Sequence, residues 1–156
     1  MVLNIKGRDY TFEFTIEASL YNKCTESIAG LFADLSIAQE EQDIKKTISS
    51  LGNLPQTTLT MFYAGLMEWH SDEITSIDDA KNLLRDYFKE HKEDGKGNFY
   101  EVMQLMLEQM ENDGFFEQIG LTQMLTEENQ AKEVKKPQDH KKKSTTKKTQ
   151  TEVGEK

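Results

Sequence analysis

Apolar and polar residues alternate over residues 2–14, VLNIKGRDYTFEF, placing Leu3, Ile5, Tyr10, Phe12 and Phe14 on one face. A period of two is that of a strand, and Lys6-Gly7-Arg8-Asp9 between the two runs is a turn whose glycine is free to take positive φ. The pattern predicts a β-hairpin. A lone two-stranded ribbon is marginal in water, so its aromatic face must lie on helices or pair with another sheet edge, and a second copy of the chain is one source of such an edge.

The period then changes to that of a helix. Ile16, Leu20, Cys24, Ile28, Leu31, Phe32 and Leu35 predict one bent helix or two short ones from Ile16 to about Ala38, with Gly30 as the candidate break. A polar helix follows from about Glu40 to Ser50, closed by Gly52. Leu54-Pro55 opens another, carried by Leu59, Phe62, Tyr63, Leu66, Met67 and Trp69.

Ser76 and Asp79 have capping-box spacing, and Ile77, Ala80, Leu84, Tyr87 and Phe88 form an apolar stripe behind them. Asp94-Gly95-Lys96-Gly97 ends that helix, and Asn98 caps the next, whose inner face is Phe99, Val102, Met103, Met106 and Met110. Asn112-Asp113-Gly114 stops it, and Phe115, Phe116, Ile119, Leu121, Met124 and Leu125 finish the core. The predicted class is mainly α with a small N-terminal β-hairpin, an α+β arrangement in one compact helical domain over residues 1–126.

Residues 127–156 break the pattern. They are dominated by Lys, Glu, Gln, Thr and Ser around Pro137, with Ala131, Val134 and Val153 too few apolar side chains to offset the entropy of ordering, which predicts a disordered C-terminal tail. Charge divides at the same point: residues 1–126 hold 10 Lys/Arg against 22 Asp/Glu, a net −12, and the tail holds 9 Lys against 6 Asp/Glu, a net +3. So acidic a body repels phosphate, which argues against nucleic acid and anionic membranes and in favour of basic protein surfaces. The lone Cys24 forms no internal disulfide, and the chain has neither a signal-like core nor an apolar run of membrane-spanning length. The expectation is a soluble, non-exported protein in a reducing compartment.

Candidate chemistry is sparse. Glu68, His70, Asp72 and Glu73 are the one tempting ligand cluster, but they lack a second, distant ligand pair and fit a polar helix end. In the register of a calcium loop, Asp94 to Phe99 puts lysines at carboxylate positions and Met103 where the closing glutamate belongs. The paired carboxylates Glu40-Glu41 and Asp78-Asp79 sit near predicted helix starts, where the helix dipole favours them. No histidine has a sequence-placed partner for nucleophilic catalysis. The expectation is no enzyme, no metal and no cofactor.

Methionine is the exception, with Met61, Met67, Met103, Met106, Met110 and Met124 in or beside the apolar helices. Core filling is the ordinary role, but flexible thioethers also suit a surface that accepts a variable partner. Met106, Met110, Phe115 and Phe116 are the candidate protein-binding residues, expected at an exposed patch around Met110 and the two phenylalanines.

Several segments together resemble tail assembly chaperones of long-tailed, siphovirus-type phages and prophages of Gram-positive bacteria. They are Asn4-Ile5-Lys6-Gly7-Arg8-Asp9-Tyr10, Phe62-Tyr63-Ala64-Gly65-Leu66, Ile77-Asp78-Asp79-Ala80-Lys81-Asn82-Leu83-Leu84, Gly97-Asn98-Phe99-Tyr100-Glu101-Val102 and Met110-Glu111-Asn112-Asp113-Gly114-Phe115-Phe116. The resemblance implies a non-enzymatic role in phage tail morphogenesis in the host cytoplasm. It further implies binding to the tape measure protein, recruitment of tail tube protein, and absence from the mature virion.

Many such proteins are also made in a longer form by ribosomal frameshifting. The runs Lys135-Lys136, Lys141-Lys142-Lys143 and Lys147-Lys148 motivate the hypothesis that an A-rich slippery site lies in this part of the gene. A gene with no slippery heptamer at these codons, or no overlapping frame after them, rules it out. The competing expectation is an acidic regulatory adaptor for a basic protein surface. Behind it stand nucleic-acid binding through the tail and an enzyme with a deep polar pocket.

Overall fold

The computed structural model describes residues 1–41 and 44–123. It is mainly helical with a two-stranded antiparallel hairpin at its start, as the residue pattern predicts. Strands β1 (Val2–Ile5) and β2 (Arg8–Thr11) precede the helices α1 (Ile16–Leu20), α2 (Asn22–Glu41), α3 (Ile44–His70), α4 (Ile77–Glu90), α5 (Phe99–Asn112) and α6 (Phe115–Gln118). Met124, Leu125 and the tail 127–156 lie outside the described residues, as does the boundary at residue 126.

The hairpin turn is tighter than the four residues expected. Only Lys6 and Gly7 lie between the strands, both with positive φ (53° and 76°), so that Leu3 faces Tyr10 and Asn4 faces Asp9. Two consecutive left-handed residues make the turn whose twist matches that of the strands. Ile5, Phe12 and Phe14 are then buried, and the aromatic face lies on helices, with the Phe12 ring 4.7 Å from that of Phe62.

Helix α3 is the axis of the fold, packing against α1, α2, α4, α5 and β2. The sequence predicts a break between Gly52 and Pro55, yet α3 runs unbroken through both for 27 residues. Proline inside a helix removes one ladder hydrogen bond at a cost of about 3 kcal/mol. The packing of α3 on its neighbours offsets that cost, because Thr58, Met61, Phe62, Ala64 and Leu66 are fully buried directly after Pro55.

The predicted break at Gly30 is likewise absent, since α2 passes through it. The chain bends instead at Tyr21 (ψ 87°), whose ring meets Tyr63 of α3 edge-on at 5.5 Å. Because α2 continues to Glu41, the pair Glu40-Glu41 stands at a helix C-terminal end and not near a start.

Capping residues behave as their types require. The Ser76 hydroxyl accepts the Asp79 N–H (3.2 Å) and donates to the Asp79 carboxylate (2.8 Å), while Asn98 accepts the Glu101 N–H (3.0 Å). These two contacts start α4 and α5. Between them, a Cβ on Gly97 would stand 2.5 Å from the Phe88 carbonyl oxygen, so only glycine allows this loop to close against α4.

Candidate protein-binding surface

The four candidate binding residues are not gathered at a surface. Met106, Met110 and Phe115 are fully buried, and Phe116 is half-buried, its ring edge-on to Phe32 at 5.8 Å. The exposed patch expected at Met110, Phe115 and Phe116 is therefore corrected to core. The reason is that α5 packs its methionine face on α3, and the left-handed Gly114 (φ 68°) turns α6 back so that Phe115 meets Phe14. Met61 and Met103 are core as well.

Among the described residues the large exposed apolar side chains are Val2, Tyr100, Ile16, Leu20 and Trp69. Ile16 (61% exposed), Leu20 (68%) and Trp69 (61%) belong to α1 and the end of α3, which lie side by side. Helix α1 buries only Ala18, leaving Ile16 and Leu20 one turn apart on its solvent side. Trp69 is held beside the start of α1 by its indole N–H, which donates to the Glu13 carboxylate, while the Thr15 hydroxyl donates to Glu68 (2.7 Å). The indole of Trp69 is thus fixed beside the segment that leads into α1, with Glu13 and Glu68 in the same contacts and Glu17 exposed in the first turn of α1.

The tempting ligand cluster is divided among structural tasks. His70 Nε2 accepts the Thr11 backbone N–H (2.9 Å), Glu73 pairs with Arg8, and Glu68 serves Thr15. Burial holds the His70 pKa below its ordinary value, with Glu73 opposing and Arg8 assisting. An imidazole that accepts a hydrogen bond must be neutral. Arg8 in turn draws the Glu73 carboxyl below its usual range, chiefly through their hydrogen bond. Among the described residues no group of three or more His, Cys, Asp or Glu is set to hold a metal ion.

Other groups are similarly engaged. Burial pushes the Cys24 thiol up to about 12, which keeps it protonated and unreactive at neutral pH. Asp94 holds the His91 ring (2.7 Å) and the Lys96 N–H (3.0 Å), so the glycine loop is a capped turn. Asp78 pairs with Lys81 in the first turn of α4, the position favoured by the helix dipole.

A second surface feature lies at the other half of α3. A groove of about 470 Å³ runs between α3 and α4, floored by Leu59, Leu84, Phe88 and Phe99 and bordered by Gly52, Pro55 and Gln56. Its lining includes two cations, Lys81 and Arg85, and no carboxylate. Lys81 holds Asp78, whereas the guanidinium of Arg85 bonds the neutral Asn82 amide (3.0 Å).

No helix among the described residues is long and apolar enough to cross a membrane. Comparison with protein families, curated proteins and solved structures finds no match to this chain.

Proposed function

We propose that this chain is a tail assembly chaperone of the long-tailed phage type, acting in the bacterial cytoplasm. It holds the tape measure protein and recruits tail tube subunits while the tail is built, and it is absent from the finished virion. The observation that carries the reading is the Ile16–Leu20–Trp69 face, large apolar side chains held open to solvent among carboxylates. Exposed apolar area of this kind is the mark of a surface that meets another protein. The segmental resemblance in the sequence supplies the identity of that protein.

The mechanism is sequestration without chemistry. An apolar stripe on the helical tape measure lies against Ile16, Leu20 and Trp69, and basic side chains flanking that stripe meet Glu13, Glu17 and Glu68. Each contact is weak alone, and many copies along one long partner act together by multivalency. The complex comes apart when tube subunits take over the same stripe.

The surrounding carboxylates also favour a second reading, an acidic adaptor that recognises a basic surface through charge alone. Salt distinguishes the two. Co-purification of the chain with tape measure fragments that persists at about 0.5 M salt supports the apolar clamp, whereas binding lost on screening supports the adaptor. No co-purification and no gain in solubility of any tape measure fragment overturns the chaperone reading.

A further inference from the structure

The two edges of the hairpin are treated differently by the rest of the chain. Met1 and Phe12 exchange both main-chain bonds: the Phe12 N–H donates to the Met1 carbonyl (2.7 Å), and the Met1 amino group donates to the Phe12 carbonyl (2.8 Å). In an antiparallel ladder such pairs alternate with pairs that make no bond, and the register then puts Leu3↔Tyr10 and Ile5↔Arg8 in the bonded class. Val2 and Asn4 therefore turn their N–H and C=O groups outward from β1, as Asp9 and Thr11 do from β2.

On the β2 side the edge is guarded. The outward Thr11 N–H is taken by His70 (2.9 Å), and the strand carries the charged Arg8 and Asp9. Strand β1, VLNI, has neither charge nor proline, the usual guards against strand pairing. Among the described residues no hydrogen bond falls on the outward main-chain groups of Val2 and Asn4, and both residues are exposed, Val2 by 56%.

Alongside that edge lies a recess of about 340 Å³, with β1 as one wall and Tyr87, Lys96, Glu101 and Leu105 opposite. No residue of β2 lines it, so it lies on the unguarded side of the ribbon. Its floor is apolar, and its one lysine is balanced by its one carboxylate, while His91 at the wall is bonded to Asp94 (2.7 Å). In a body of net charge −12 such a balance is local, and it selects an uncharged occupant. Outward N–H and C=O groups on alternate residues of a strand are matched by another extended main chain.

We propose that the β1 edge is a strand-addition site. Its occupant is an uncharged, extended segment of another protein, apolar at alternate positions, which lies between β1 and α5 as a third strand. Val2 and Asn4 then each exchange an N–H and a C=O bond with it. Side chains level with Leu3 point into the recess onto Leu105 and Tyr87, and those level with Val2 and Asn4 point to solvent. The recess closes on α5, so it admits a lone segment, whereas a second copy offers β1 only joined to β2, a ribbon that runs into α5. The site shares no residue with the Ile16–Leu20–Trp69 face, so it stands apart from the chaperone reading.

The test uses the full-length, isotope-labelled chain and a blocked hexapeptide alternating valine and threonine. N-methylation of its valines leaves the peptide one edge able to pair and prevents it from stacking on itself. The Val2 and Asn4 amides are expected to exchange freely with solvent in the chain alone, and to shift and slow at least about tenfold as this peptide saturates the site. Methylation of the threonines as well removes the remaining edge and abolishes the response. Asn4→Pro removes one outward N–H, leaves the ladder to β2 intact, and is expected to weaken binding at least about fivefold, with the core amides reporting that the chain stays folded.

No shift at Val2 or Asn4 up to about 2 mM peptide overturns the proposal, as does a response unchanged by full methylation. Val2 and Asn4 amides already protected in the chain alone overturn it too, because a second copy or residues 127–156 then hold the edge. Capture of tape measure fragments by the same sample reports on the chaperone reading separately.

Discussion

Two apolar stripes in this chain look alike in sequence and end in opposite places. Met103, Met106 and Met110 on α5, continued by Phe115, recur at helical spacing and are fully or almost fully buried; Ile16 and Leu20 recur at helical spacing and are mostly exposed. Periodicity reports that a helix has an apolar face, and does not report whether anything covers it. What covers α5 is the length of α3, a partner 27 residues long. Helix α1 has five residues and touches α3 through the other side, burying Ala18 alone.

Substitution separates the two stripes most sharply. Met110→Ala removes a fully buried side chain and is expected to cost about 2–4 kcal/mol in denaturant unfolding, a cavity-forming change. Leu20→Ala, on the exposed stripe, is expected to change stability by no more than about 0.5 kcal/mol. Equal losses at the two positions remove the distinction between core and free surface.

The hairpin joins the buried region through Gly65. A Cβ there meets the Phe14 ring at 3.0 Å and the Phe12 ring at 3.1 Å, and the Gly65 carbonyl accepts the Glu13 N–H (2.9 Å). Gly65→Val is expected to cost about 1–3 kcal/mol by overpacking and to push the Glu13–Trp69 contact out of place. Gly52, also in α3, has open space where its Cβ would stand, and Gly52→Ala is expected to be neutral or slightly stabilising. Thermal unfolding of the pair reads the difference directly.

A smaller effect is set by pH at the junction of the two regions. His70 accepts the Thr11 N–H as a neutral imidazole, and burial lowers its folded pKa below the ordinary 6.5. A group whose folded pKa is depressed favours the folded state above its unfolded pKa. That contribution is complete above about pH 6.5 and is lost as pH falls through the folded pKa. His70→Gln is expected to flatten this part of the stability–pH curve, and a curve as steep as the wild type between pH 7 and 5 contradicts the assignment.

The elements themselves were largely readable from the residues. Ser76 and Asn98 mark real helix starts, Gly97 and Gly114 real turns, and the alternation of residues 2–14 a real hairpin, because each depends on neighbours a few positions away. Gly52 and Pro55 misled for the complementary reason. Their local cost is real, but α3 is held by helices distant in sequence, and that packing outweighs it.

The clamps on the hairpin were equally hidden. The Lys6 N–H is received by both carboxylate oxygens of Glu90 (2.9 and 3.0 Å), and the Phe14 N–H by Asp113 (2.8 Å), across 84 and 99 residues. The exposed patch expected at Met110, Phe115 and Phe116 was misread on the same account. The methionines and phenylalanines of α5 and α6 carry more apolar surface than Ile16 and Leu20, and for that reason the fold uses them as core.

The central claim is that the face of α1 and Trp69 binds a partner. The most direct measurement is capture of a labelled tape measure fragment by the wild-type chain and by a chain carrying Ile16→Ser, Leu20→Ser and Trp69→Ser together, with folding of both verified by thermal unfolding. The account predicts that the wild type captures the fragment and that the folded triple variant loses at least about tenfold in affinity, as expected when exposed anchor side chains are removed. A folded triple variant that binds as tightly as the wild type contradicts it.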